Sequence, residues 1–262
     1  MKKLGIVLSG GVARGIANLG FLKVLEEHKI PIHCIAATSM GAVIGSAYAL
    51  KQDIDDLRKI IAKIRNRHVV DVNIFALTGN SLLRSKKIKK IVEGYLKDAE
   101  IEDCKINFAC NAADLISGEE VVYTQGRMAD RVLASSAIPG VFRPFKIDGK
   151  LLCDGGTVCR MPVHLARKMG ADAVVCCDVI EDTVVPEKKL RRFYRIIPRS
   201  HEIMDRHLMR LYFEVNKPEL IVTPNMPGLD MFDFNSLDKM YDAGYKAGVE
   251  NIERIKSLLN NE

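Results

Sequence analysis

Two stretches near the N-terminus constrain the fold more than any other part of the chain. Leu4-Gly5-Ile6-Val7-Leu8 is a continuous apolar run, as expected of a strand buried on both faces of a parallel sheet. It runs into Ser9-Gly10-Gly11-Val12-Ala13-Arg14-Gly15, where glycines let the backbone turn tightly and leave N–H groups exposed. Residues 15–29 then have helical spacing, with Ile16, Leu19, Leu22 and Leu25 on one side and Pro31 beyond the end. The device repeats at once. Cys34-Ile35-Ala36-Ala37 reads as a strand, Thr38-Ser39-Met40-Gly41 as a sharp turn, and 40–50 as a helix. A strand–helix–strand–helix opening predicts parallel pairing with right-handed crossovers.

Further along, 53–64 and 86–96 have the spacing of amphipathic helices, joined by a less regular stretch around Thr78-Gly79-Asn80. The apolar run 106–113, interrupted by Asn, and the β-branched run 120–124 suit a hairpin about Ser117-Gly118. A short helix is expected over 129–137, ending before Pro139-Gly140. Leu151-Leu152-Cys153 reads as a buried strand end running into Asp154-Gly155-Gly156. A helix opening on Pro162, a buried strand over 173–179 and a last strand at 220–223 follow. From Leu237 a helix runs to about Leu259, with Tyr241, Gly244, Gly248, Ile252, Ile255 and Leu259 on one stripe.

The 262 residues include 48% hydrophobic side chains, enough for a sizeable core. The net charge of +6 is too mild to argue for nucleic acid. The seven cysteines form no C-x-x-C pair and sit mostly in apolar runs, as expected of reduced, buried thiols in a cytoplasmic protein rather than a disulfide framework or a zinc site. Met1-Lys2-Lys3 and the apolar run after it mimic a signal peptide, but five apolar residues ending in Gly10-Gly11 make a strand. No segment approaches the ~18 apolar residues of a membrane span.

Ser39 is the residue with chemical promise. A hydroxyl becomes a useful nucleophile when a base takes its proton, and a tight strand-to-helix turn lifts the side chain clear of the sheet. Such a turn needs small residues two places either side; Ala37 and Gly41 supply them, although glycine is the usual residue at position 37. A plain helix cap at Thr38 or Ser39 is the alternative. The glycine loop fits neither nucleotide fingerprint: Ile16-Ala17 follow Gly15 where a P-loop has Lys-Ser/Thr, and Val12 interrupts G-x-G-x-x-G. What remains is a row of N–H groups before a helix, suited to an oxyanion, or a simple tight turn. Arg14 either fixes the loop through carbonyls or meets an anionic substrate.

The segments S-G-G-V-A-R-G (9–15), A-T-S-M-G-A (37–42), A-S-S-A-I-P-G-V-F-R-P (134–144) and D-G-G (154–156) stand in the order seen in patatin-like phospholipases. The chain resembles a small bacterial-type member of that family, closely over about 4–180 and loosely beyond. The resemblance implies one domain over 1–262, with a C-terminal extension from about 181, in a three-layer α/β/α sandwich with a mainly parallel sheet. It implies Ser39 as nucleophile and Asp154 as general base, with an oxyanion hole from the amides of Gly10, Gly11, Val12 and Ala13. Arg14, Gly15, Gly41, Gly155 and Gly156 would support them. The implied reaction is hydrolysis of a carboxylic ester of a lipid through an acyl-enzyme, with no metal or organic cofactor. Val12 departs from the family's glycine, and Asn18 from its histidine. Acyl transfer, thioester hydrolysis, and a weakly active regulatory protein are the alternatives.

Without a histidine, the carboxylate must lie close to Ser39 and be buried enough for a raised pKa. A triad through His164, the histidine nearest Asp154 in sequence, is the lesser alternative. The stretch 186–210 carries eight basic and three acidic residues with interleaved aromatics. It is a candidate for peripheral contact with an anionic membrane, or else a solvated helix or loop. No nucleic-acid module is present. The acyl-chain length, head group and oligomeric state are not legible.

Overall fold

The computed structural model describes residues 1–62, 86–180, 187–190 and 193–260. Its spine is a sheet whose parallel strands are β1 (Leu4–Leu8), β2 (Ile32–Ala37), β3 (Asn107–Asp114), β7 (Ala173–Cys177) and β8 (Leu220–Val222), in the order β3-β2-β1-β7-β8. All five residues of β1 and of β7 are buried, which is why these segments read as unbroken apolar runs. β4 (Glu120–Tyr123), β5 (Phe145–Ile147) and β6 (Lys150–Asp154) join as an antiparallel part. The expected hairpin is present as β3–β4, with Gly118 at φ 78°.

Helices cover both faces. Ile6, Leu8, Ile35 and Ala37 point to one side, where α1 (Ala17–Glu27), α2 (Met40–Lys51), α3 (Ile54–Ile61), α4 (Lys86–Leu96) and α5 (Met128–Ser135) contribute to one core with α8 (Leu237–Leu259). Val7, Cys34 and Ala36 point to the other, against α6 (Val163–Lys168) and α7 (Phe193–Val215). The stripe read in α8 is buried in full. It lies on α1 with the backbones almost touching: a Cβ on Gly244 would stand 1.9 Å from the Ala17 carbonyl oxygen, and one on Gly20 2.0 Å from that of Tyr241.

Two expectations change. The helix expected over 15–29 starts as a 3-10 turn, Val12–Ile16, because the glycine loop enters too tightly for an α-turn. Pro162 precedes α6 as its cap rather than forming its first helical residue. The basic stretch belongs mostly to α7, a helix of 23 residues. Residues 63–64 of the amphipathic helix expected over 53–64 and the Thr78-Gly79-Asn80 stretch lie outside the described residues. All seven cysteines are free thiols, six of them buried.

Candidate active site

Ser39 and Asp154 meet because of how β3 is flanked. Cys110 of β3 pairs Ala37 of β2 on one edge and Tyr123 of β4 on the other; Ala112 pairs Asp154 of β6 and Val121 of β4. β2 and β6 therefore lie end to end along the same edge of β3, running toward each other. Each chain leaves the edge at its C-terminus, β2 into Ser39 and β6 into the D-G-G turn.

Ser39 occupies φ 56°, ψ −126°, a region that L-residues avoid, at the cap of α2. Gly41 makes this turn possible, since a Cβ there would stand 2.3 Å from the Leu8 carbonyl oxygen. Ser39 Oγ donates to Asp154 Oδ2 at 2.5 Å, and both residues are buried. Asp154 Oδ1 accepts the Gly156 N–H at 2.8 Å, and the Asp154 N–H donates to the Ala137 carbonyl. Burial pushes the Asp154 carboxyl up to about 6, against the opposing pull of the Ser39 and Gly156 hydrogen bonds. A carboxylate so placed can accept the serine proton near neutral pH.

The glycine loop borders Ser39: a Cβ on Gly10 would lie 2.9 Å from that of Ser39. Among the described residues, no group accepts a hydrogen bond from the amides of Gly10, Gly11 or Val12. Ala13 differs from the expectation, because its N–H donates to the Met231 carbonyl at 2.9 Å and is already engaged. Arg14 takes the first of its two readings, with Nε and Nη2 both donating to the Leu229 carbonyl. Val12, where the family has glycine, sits at φ 53°, an unfavourable conformation for a β-branched side chain. Gly15 packs against Met40, and Gly155 against the Asn111 carbonyl.

Several supporting residues were not singled out in the sequence. Ser135 Oγ accepts the Ser39 N–H at 2.9 Å. Asn111 accepts from the Thr38 hydroxyl at 2.7 Å and donates to the Cys159 carbonyl and to Glu120. Its signal was a polar residue inside an otherwise buried strand. The segment 229–234, which roofs the loop, had no periodicity to mark it. Asn18 holds the Ser9 carbonyl.

His164 stands apart from the Ser39–Asp154 pair. Its ring nitrogens bond Glu120 at 2.9 Å and the Tyr212 hydroxyl at 2.7 Å. Glu120, Cys159 and His164 do bring three groups of metal-ligand type within 4.8 Å of one another. The His164 ring links Glu120 and the Tyr212 hydroxyl by hydrogen bonds, and burial and the Glu120 charge push the Cys159 thiol up to about 12. Beside Ser39 lies an apolar pocket walled by Val12, Met40, Val43, Leu133, Ile138, Phe142 and Phe232. A second apolar cavity, reaching Ala47, Leu57 and Leu96, shares Met40, Val43, Val92 and Phe234 with the first.

Comparison with known proteins adds four matches. The family model described as patatin-like phospholipase matches residues 6–167. Lysophospholipase nte1 of Aspergillus terreus is 29% identical, with 98% of this chain aligned to 18% of that protein. A putative patatin-like phospholipase domain-containing protein of Caenorhabditis elegans is 34% identical over 67% of this chain and 17% of its own length. The chain thus spans about a fifth of these curated relatives. Among solved structures, VipD from Legionella pneumophila shares the fold with a TM-score of 0.58 at 15% identity, covering 97% of this chain and 67% of that one.

Proposed function

The chain belongs to the patatin-like phospholipase family, and from that premise we propose that it hydrolyses the carboxylic ester of a lipid, with Ser39 as nucleophile and Asp154 as general base. The observation that carries this reading is the buried 2.5 Å hydrogen bond between the two side chains, on a serine held in a left-handed turn at a helix N-terminus. Asp154 takes the Ser39 proton as Oγ attacks the ester carbonyl carbon. The amides of Gly10, Gly11 and Val12 receive the oxyanion, assisted by the positive end of α2. Collapse breaks the ester bond, and Asp154 returns the proton to the leaving alcohol. Water then attacks the acyl-Ser39 ester with Asp154 again as base, releasing the acid and restoring the serine.

Turnover of p-nitrophenyl esters by wild type beside Ser39→Ala tests the reading. Release of p-nitrophenol that survives in the variant would overturn it. The pH profile gives a second check. The base works as the carboxylate, and Asp154 is raised to about 6, so kcat/KM should climb as pH rises through about 6 and level off above. A rate that is flat across that range would exclude Asp154 as the base.

The apolar walls beside Ser39 support an acyl chain as the bound part of the substrate. Val43 lines both cavities, one turn along α2 from Ser39. Val43→Phe should therefore lower kcat/KM for long-chain esters about tenfold or more relative to acetyl esters. Equal losses for all chain lengths would place the acyl group elsewhere.

A further inference from the structure

We infer that α7 is a docking surface for an anionic lipid membrane, which holds the active-site edge of the sheet against the lipid. The inference rests on the lipid-ester reading above for its purpose, though not for its geometry. Seven of the fourteen exposed large hydrophobic side chains among the described residues lie on this one helix. Ile197 and Met204 are 70% and 62% exposed, and Leu208, Leu211 and Val215 continue the line. Steps of seven, four, three and four residues put these five on a single helical stripe. A face this apolar left in water points to an interaction surface.

The direction of α7 places its first half. Arg160, at the centre of a buried pair of ion contacts, bonds Asp178 just beyond the C-terminal end of β7 and Asp205 of α7, the latter at 2.7 Å. Further along, Tyr212 holds His164 of α6, and the Glu219 N–H donates to the carbonyl of Val174 near the start of β7. The chain therefore descends the sheet from Asp205 onward. The twelve residues from Phe193 to Met204 extend past the C-terminal edge, by about 18 Å at a rise of 1.5 Å per residue. That edge carries Ser39, since β2 and β7 both run parallel to β1. Ile196, Ile197, Ile203 and Met204 lie on this first half of α7, toward the strand edge that carries Ser39.

Charge selects the occupant. The stretch 186–210, which is the first part of α7 with the seven residues before it, holds eight basic and three acidic residues, a net +5 out of +6 for the whole chain; Lys188, Lys189, Arg191 and Arg192 come before the helix and Arg195, Arg199, Arg206 and Arg210 lie within it. Two copies meeting on this segment would repel each other, whereas a surface of anionic head groups attracts it. Among the described residues no helix is long and apolar enough to cross a membrane. The contact is interfacial, with apolar side chains entering the head-group boundary and basic ones meeting phosphates.

The test is flotation of the 262-residue chain with phosphatidylcholine–phosphatidylglycerol vesicles, beside an Ile197→Glu/Met204→Glu variant. Wild type should float with the vesicles, less so with pure phosphatidylcholine or at raised salt. The variant should partition about tenfold less or worse, while its turnover of a water-soluble ester stays at the wild-type level, which certifies its fold. Ser39→Ala should float like wild type. A variant that floats as well as wild type, or a wild type that does not float, overturns the inference. A wild-type dimer that the variant converts to monomer also overturns it, in favour of a second copy on this face. Soluble-ester turnover without flotation removes the docking surface and leaves the hydrolase; flotation without turnover does the reverse.

Discussion

Ser39→Ala should lower ester hydrolysis by about three orders of magnitude or more, to a trace set by substrate binding and the oxyanion amides alone. Asp154→Asn should lose a similar amount. Asparagine fits the same space and can still accept the Gly156 N–H, but it cannot take a proton from the Ser39 hydroxyl. Because the two side chains act as one unit, the double variant should be no worse than either single one. Circular dichroism should show both folds intact. Asp154→Asn should also be the more heat-stable protein at neutral pH. The folded carboxyl is raised to about 6, above the roughly 3.9 of an unfolded aspartate. Stability is therefore lost as pH climbs between those values and stays lost above about 6, by on the order of 2–3 kcal/mol. Asparagine has no such charge to bury. If Asp154→Asn melted below wild type at neutral pH, the strain attributed to the buried carboxylate would be absent.

The second large effect is structural. Gly244→Ala should destabilise the protein by about 3 kcal/mol or more. Its new methyl would stand 1.9 Å from the Ala17 carbonyl oxygen, against helix backbone that cannot rotate aside. α1 and α8 would have to separate, opening the core between them. The sign is the diagnostic part, because Gly→Ala inside a helix is ordinarily favourable by about 1 kcal/mol. Gly94, exposed on α4 with nothing among the described residues within 4 Å of its would-be Cβ, supplies the control. Thermal unfolding should show Gly94→Ala melting above wild type and Gly244→Ala well below it. Matching shifts at the two positions would refute the close helix contact.

Much of this protein follows from local sequence. The apolar run Leu4–Leu8 had to be a strand sealed on both faces, and β1 is buried at every residue. The repeated strand–turn–helix pattern implied a parallel core, and β1 and β2 are parallel neighbours. The stripe from Tyr241 to Leu259 told which face of the last helix is buried, because helical periodicity is a property of the chain alone. The small residues around Ser39 announced the turn, since only small side chains fit where a backbone doubles back.

Other features needed the folded chain. Arg14 could have faced a ligand or a carbonyl; only the path of 229–234 over the glycine loop gives it the Leu229 carbonyl and occupies the Ala13 amide. Ser135 and Asn111 serve Ser39 and Thr38 from 96 and 73 residues away in sequence, a separation no local pattern records. Local pattern gave Asp154 a turn at the end of a buried strand, and only the resemblance of its D-G-G segment pointed to it as a base. Its approach to Ser39 across 115 residues arises because β2 and β6 share one edge of β3 and run toward each other. Its raised pKa follows from the burial that this creates. Local sequence thus determined which residues turn and which are buried, because those depend on side-chain size and period. Which serine met which carboxylate was decided by strand pairing, a long-range choice made by the sheet as a whole.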